Sequence, residues 1–256
     1  RLEKDWSHYP ILHLDLNARQ YDRPESLLEE LNKHLEIWEQ TYGSPYGDRK
    51  PEERFYQVIR CAYKKTGQRV VVLVDEYDKP LLQAIGNAEL QEAYRNILKA
   101  FYGVLKSTDG HIQFAMLTGV TKFSQVSVFS GFNQPRDISM DEQFESLCGI
   151  TGEELESYFA ISIEELARKN ELTVEEMKQL VKAQYDGYHF GTGLIDIYNP
   201  FSLLNAFISK RISDYWFQSG TPTYLVRLLR HTRENLDEMT GRYYRTPEFV
   251  DYKADV

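Results

Sequence analysis

The sequence predicts an α/β protein in two parts: residues 1–140 as a three-layer core built around a parallel sheet, and residues 141–256 as a mainly helical region. Three observations carry this reading. Residues 70–74, VVVLV, form an unbroken aliphatic run, which suits a central parallel strand with helices on both of its faces. Strand-like and helix-like patterns alternate along the first part, and such alternation implies right-handed crossovers between parallel strands. Beyond about residue 140 the pattern changes to Thr151 with Glu154, Ser162 with Glu165 and Thr173 with Glu176, three capping boxes that each open a short helical stretch.

Residues 11–16, ILHLDL, alternate and then continue apolar between Tyr9-Pro10 and Asn17, as a first strand does. A helix follows from about Pro24. Its apolar positions Leu27, Leu28, Leu31, Leu35 and Trp38 keep the i, i+3/i+4 stripe, Pro24 suits the first turn, and Gly43 can end it. A second helix runs from Pro51 to Gly67, with Phe55, Val58, Ile59, Ala62 and Tyr63 sharing a face. The aliphatic strand comes next. After a loop around Gly86, Leu90, Ala93, Tyr94, Ile97, Leu98, Phe101 and Leu105 mark a long helix. Asp109-Gly110 then turns the chain into a third strand, Ile112 to Leu117, which ends in Thr118-Gly119. The helical region carries aromatic landmarks at YDGYHF (185–190), YNPFSLL (198–204) and YWFQSGTPTYLVRLL (215–229). Such clusters are more often helix-packing anchors than platforms for stacking bases.

At 256 residues, 42% hydrophobic and 13% aromatic, the chain has ample material for a core. Its net charge of −9 offers no general electrostatic funnel for nucleic acid or an anionic membrane. The local basic candidate, Arg227, Arg230, His231 and Arg233, reads first as the solvated face of an amphipathic helix. No apolar run approaches the roughly 20 residues that span a bilayer, and no signal-peptide pattern is present. Cys61 and Cys148 stand far apart without a CxxC partner, which argues against a disulfide framework or a thiolate zinc site and fits a reducing, cytoplasmic setting. His13, His34, His111 and His189 make no ligand-spaced cluster. The chain opens at Arg1 without Met and closes on Ala-Asp-Val, so it reads as part of a longer protein.

The candidate chemistry lies where the central strand ends. VVVLVDEYDKP runs five aliphatics into two adjacent carboxylates, Asp75 and Glu76, in the pattern of a Walker B motif. In parallel sheets ligands bind beyond the carboxyl ends of the strands. One carboxylate there can hold a hydrated Mg²⁺ against nucleotide phosphates, and its neighbour can polarise the attacking water. The bland alternative is a buried strand ending in a solvated acidic turn, and context has to decide between the two.

That context is a resemblance. VVVLVDEYDKPL, the run TGVTKFSQVSVFSGFNQPRDIS at 118–139, LCGITGEEL at 147–155, YDGYHF and YNPFSLLNAF together resemble the bacterial AAA-ATPase-like proteins, with the motifs in the same order along essentially the whole chain. The resemblance implies a P-loop NTPase-like core that binds ATP with Mg²⁺, a helical region after it, and often a PD-(D/E)XK nuclease-like domain further on. It makes Asp75 the Walker B aspartate and metal ligand, Glu76 the catalytic acidic neighbour, and Thr118 a polar sensor residue beside the phosphate-loop strand. Lys122 and Arg136, in the loop that follows, are weaker candidates for a γ-phosphate, since loop cations are usually solvated. Tyr185, Asp186 and Tyr188 match a signature of the family that has no assigned chemical role.

One departure matters. No GxxxxGK[ST] occurs, and the nearest glycine-rich stretch, GSPYGDRK at 43–50, follows a helix and lacks the GK[ST] ending. The resemblance implies that the first strand, its phosphate loop and the next helix lie immediately upstream of RLEKDWSHYP. The strand at 112–117 would then show a bare edge where that first strand belongs.

Three functions compete on this sequence. An ATP-dependent enzyme or switch would move the helical part against the core. A non-catalytic interaction module would bind a protein partner through the helical region, its nucleotide site having decayed, although intact Asp75 and Glu76 argue against decay. A nuclease is disfavoured within these residues, because a PD-(D/E)XK site needs lysine two positions after its acidic residue and Glu76 to Lys79 has one residue too many. Any nuclease centre would lie beyond Val256.

Overall fold

The computed structural model describes residues 7–43, 47–119, 135–187, 189 and 195–215. They fall into two compact units, one ending at Pro135 and the other beginning at Arg136.

The first unit is an α/β layer. Strands β1 (Ile11–Asp15), β2 (Val70–Asp75) and β3 (Ile112–Leu117) pair in the order β1-β2-β3, all parallel. Helices α1 (Pro24–Tyr42) and α2 (Pro51–Thr66) connect β1 to β2, and α3 (Lys79–Gln83) and α4 (Ala88–Ser107) connect β2 to β3. Pro24 and Pro51 start their helices, where a missing N–H costs nothing, and Gly43 and Gly67 end them in the left-handed conformation, at φ 80 and φ 68. Asn87 caps α4 by accepting from the Leu90 N–H.

Right-handed crossovers in a β1-β2-β3 order place every connecting helix on the same face. The burial follows that rule. Leu12, Leu14, Val70, Val72 and Val74 are buried on one face, whereas Ile11 and Phe114 on the other are 53% and 52% exposed. The expected three-layer arrangement is therefore present only as two layers among the described residues. An aliphatic run announces a parallel strand, but it does not reveal whether the strand order reverses, and only a reversal or an added element covers the second face. β3 has no partner on its outer side among the described strands.

Beneath the covered face, Phe55 of α2 stacks on Phe101 of α4 with ring centroids 4.4 Å apart, and Trp38 of α1 packs on Phe55 at 5.8 Å. Arg54 is buried between α1 and α2. It forks onto Glu39 at 2.8 and 2.7 Å and donates to Asn32 Oδ1 at 2.6 Å. Tyr63, expected on the buried face of α2, is 38% exposed and edges onto His111 instead. α3 was not expected at all, since five residues are too few to show a helical period.

Among its described residues the second unit packs four helices, α5 (Gly152–Tyr158), α6 (Ala160–Lys169), α7 (Val174–Tyr185) and α8 (Pro200–Ser209), with the short antiparallel pair β4 (Ile150–Thr151) and β5 (Ile197–Tyr198). Leu155, Ile163, Leu166, Met177, Val181, Tyr185, Tyr198, Leu203 and Phe207 make its core, so Tyr185 and Tyr198 serve as packing anchors. The Tyr185 hydroxyl donates to the Ser213 carbonyl at 3.0 Å. Tyr188 and the Arg227–Arg233 region lie outside the described residues.

Two of the three expected capping boxes form. Thr151 and Thr173 cap α5 and α7, each with its Glu returning the bond. Ser162 does not cap. It sits within the first turn of α6, because that helix follows α5 after a single residue, Phe159, and so begins at Ala160. Glu165 is thereby free to bond Lys210, which draws its carboxyl below the usual range. No described helix is long and apolar enough to cross a membrane.

Candidate functional site

The candidate site is built where β1, β2 and β3 end. β2 and β3 are adjacent and parallel, with Val74 opposite Leu117, so their next residues emerge side by side. There the Thr118 Oγ1 donates to Asp75 Oδ1 at 2.5 Å, and both residues are exposed. The backbone joins the same point: Thr118 N–H donates to the Val74 carbonyl and Tyr77 N–H to the Thr118 carbonyl, each at 2.9 Å.

Glu76 lies between these bonds at φ 55, in the left-handed region that a glutamate adopts only when its surroundings impose it. Its restraints are local. Tyr77 is tied to Thr118, and Lys79 N–H donates back to the Glu76 carbonyl at 3.0 Å. Behind them Asp78 is fully buried, and Gly119 passes so close that a Cβ there would meet Asp78 Oδ1 at 2.6 Å and the Tyr77 ring at 2.7 Å. Partial burial pushes the Glu76 carboxyl above its ordinary range; the charges of Asp78, Asp75 and Asp15 act in the same direction and Lys79 against it. Backbone held this way stores energy. Glu76→Gly, which relieves the left-handed strain, is expected to raise stability by about 1 kcal/mol in urea denaturation; an unchanged or lowered midpoint would mean that the turn carries no such strain.

β1 contributes residues that the sequence reading missed. Asp15 pairs in register with Asp75, its Oδ1 accepts the Asn17 N–H at 2.7 Å, and Asn17 Oδ1 accepts from Lys79 Nζ. Applying the strand-end rule to ILHLDLN as well as to VVVLVDEY would have found Asp15 and Asn17. Nothing in the sequence announces the reach of Lys79.

The other two candidates are placed differently. Arg136 begins the second unit and is held within it, donating to Asp141 Oδ2 at 2.5 Å and Gln143 Oε1 at 3.2 Å, with its Cζ 5.3 Å from the centre of the Phe144 ring. Lys122 lies outside the described residues.

The donor set suits a hard cation that keeps much of its water. Among the described residues no three carboxylate, imidazole or thiolate groups converge as a metal cage. One exposed carboxylate with a hydroxyl beside it is what Mg²⁺ takes from a protein when phosphates supply further ligands.

The first half of the chain, residues 1–129, matches the family model described as predicted AAA-ATPase. The chain belongs to this AAA-ATPase-like family. Membership points to nucleotide use and gives the strand-end carboxylates a context that a lone DE motif lacks. A relative from Azotobacter chroococcum mcd 1, described as an uncharacterized protein in vnfD 5'region, is 40% identical over 230 residues, which is 90% of the AAA-ATPase-like chain and 42% of the relative. The chain thus spans less than half the length of the curated relative it matches. No solved structure matches it.

Proposed function

We propose that this chain supplies the carboxylate side of a Mg²⁺-dependent ATP hydrolysis site, completed in the longer protein by a phosphate loop upstream. The observation that carries the reading is the junction of β2 and β3, where the Thr118 hydroxyl meets the Asp75 carboxylate and the next residue, Glu76, is held in a strained backbone conformation. Asp75 would hold the Mg²⁺, whose charge offsets that of the phosphates. Glu76 is the group to orient the attacking water and take its proton, and its raised pKa makes it a better base than an ordinary carboxylate. Thr118 fixes the Asp75 carboxylate from the neighbouring strand. Arg136 is engaged by Asp141 and Gln143 and is given no role in this proposal.

The 256 residues themselves should bind ATP poorly. They contain no GxxxxGK[ST], the motif whose amides and lysine cradle the β- and γ-phosphates in a phosphate loop. Calorimetry on this chain alone should show weak ATP binding. Tight, Mg²⁺-dependent binding would contradict the division of labour proposed here.

A further inference from the structure

Lys79 has an unusual station. Of the four charged neighbours that act most on Glu76, three are carboxylates, Asp78, Asp75 and Asp15, and Lys79 is the cation. Yet its ammonium does not sit on a carboxylate among the described residues. It donates to the neutral amide oxygen of Asn17, which is itself fastened to Asp15 through the 2.7 Å bond from its backbone N–H. The positive charge is therefore held at the strand ends through Asn17 and Asp15, while among the described residues the side-chain bond to Asp75 is the one that its Oδ1 accepts from Thr118.

We propose that Lys79, tethered by Asn17, is the resident counter-cation of this site, and keeps Asp75 a weak metal ligand until nucleotide phosphates arrive with their own negative charge. The inference rests on the metal role proposed for Asp75. A fixed positive charge opposes a multivalent cation nearby and favours a polyphosphate, so one lysine biases the site toward the metal–nucleotide complex over the bare metal. Lys79 acts here as a positioning and charge-balancing residue, not as a catalytic one.

The test is Tb³⁺ binding to the chain without nucleotide, read by luminescence sensitised by its aromatic residues, with the Asp75→Ala signal subtracted so that only Asp75-dependent binding counts. Lys79→Met should bind about tenfold tighter than wild type, the effect of removing one unit charge close to a multivalent ion. Lys79→Arg should stay at the wild-type affinity, and added KCl should narrow the gap between Met and wild type. Lys79→Gln provides a second neutral variant if the first folds poorly. Asp75-dependent binding of equal strength in wild type and a neutral variant would overturn the role of Lys79 while leaving that of Asp75 standing. Tightening by Lys79→Arg as large as that by Lys79→Met would also overturn it, since the charge would not be the cause. No Asp75-dependent signal in any of the proteins would overturn both readings.

Discussion

Glu76→Gln is expected to abolish ATP turnover while leaving nucleotide binding intact, in a longer protein that includes the phosphate loop proposed to lie upstream. The substitution preserves size but removes the carboxylate proposed to accept a proton from water, a loss of about 10²- to 10⁴-fold in kcat for a general base. Binding survives because Asp75 and Thr118 are untouched. Gln also keeps the turn between β2 and α3 intact, since the left-handed backbone at this position is set by Tyr77, Thr118 and Lys79 and not by the Glu76 carboxylate. Turnover equal to wild type would remove Glu76 from the mechanism and leave its strained backbone without a chemical explanation.

Arg54→Ala carries the largest expected cost in stability. The guanidinium is 4% exposed and its partner Glu39 10%, so truncation leaves a carboxylate buried without its counter-ion and the Asn32 amide oxygen without its donor. Breaking a buried pair from one side costs about 3–5 kcal/mol, a large part of the 5–15 kcal/mol that typically holds a domain together. The loss should appear as a lower urea midpoint. Replacing both partners, as Arg54→Met with Glu39→Leu, should recover much of it, because apolar groups of similar volume leave no unpaired charge. A single-substitution cost below about 1 kcal/mol would show that water reaches Glu39 and that the pair is effectively a surface one.

The parts of the fold legible in the sequence are those with a repeating or punctuated signal. Leu27, Leu31, Leu35 and Trp38 mark the buried stripe of α1 between Pro24 and Gly43, and the structure has that helix between those residues. Two apolar runs one crossover apart give neighbouring parallel strands, which is enough to bring Thr118 against Asp75. What escaped depends on contacts between distant segments or on backbone conformation. Ser162 has the composition of a cap, but the proximity of α5 decides where α6 starts. Glu76 gives no local hint of a positive φ, since left-handed positions are read from Gly or Asn and here the bonds of neighbouring residues impose it. Lys79 finds Asn17 across 62 residues of sequence, a pairing that no periodicity records.

Asp75 is proposed to couple a nucleotide to a metal at the strand ends. Titration calorimetry of ATP into the upstream-extended protein, with and without Mg²⁺, tests it most directly. Wild type should bind more tightly when Mg²⁺ is present, and Asp75→Ala should bind with the same, weaker affinity in both conditions. Undiminished Mg²⁺ dependence in Asp75→Ala would contradict the account and place the metal on other residues.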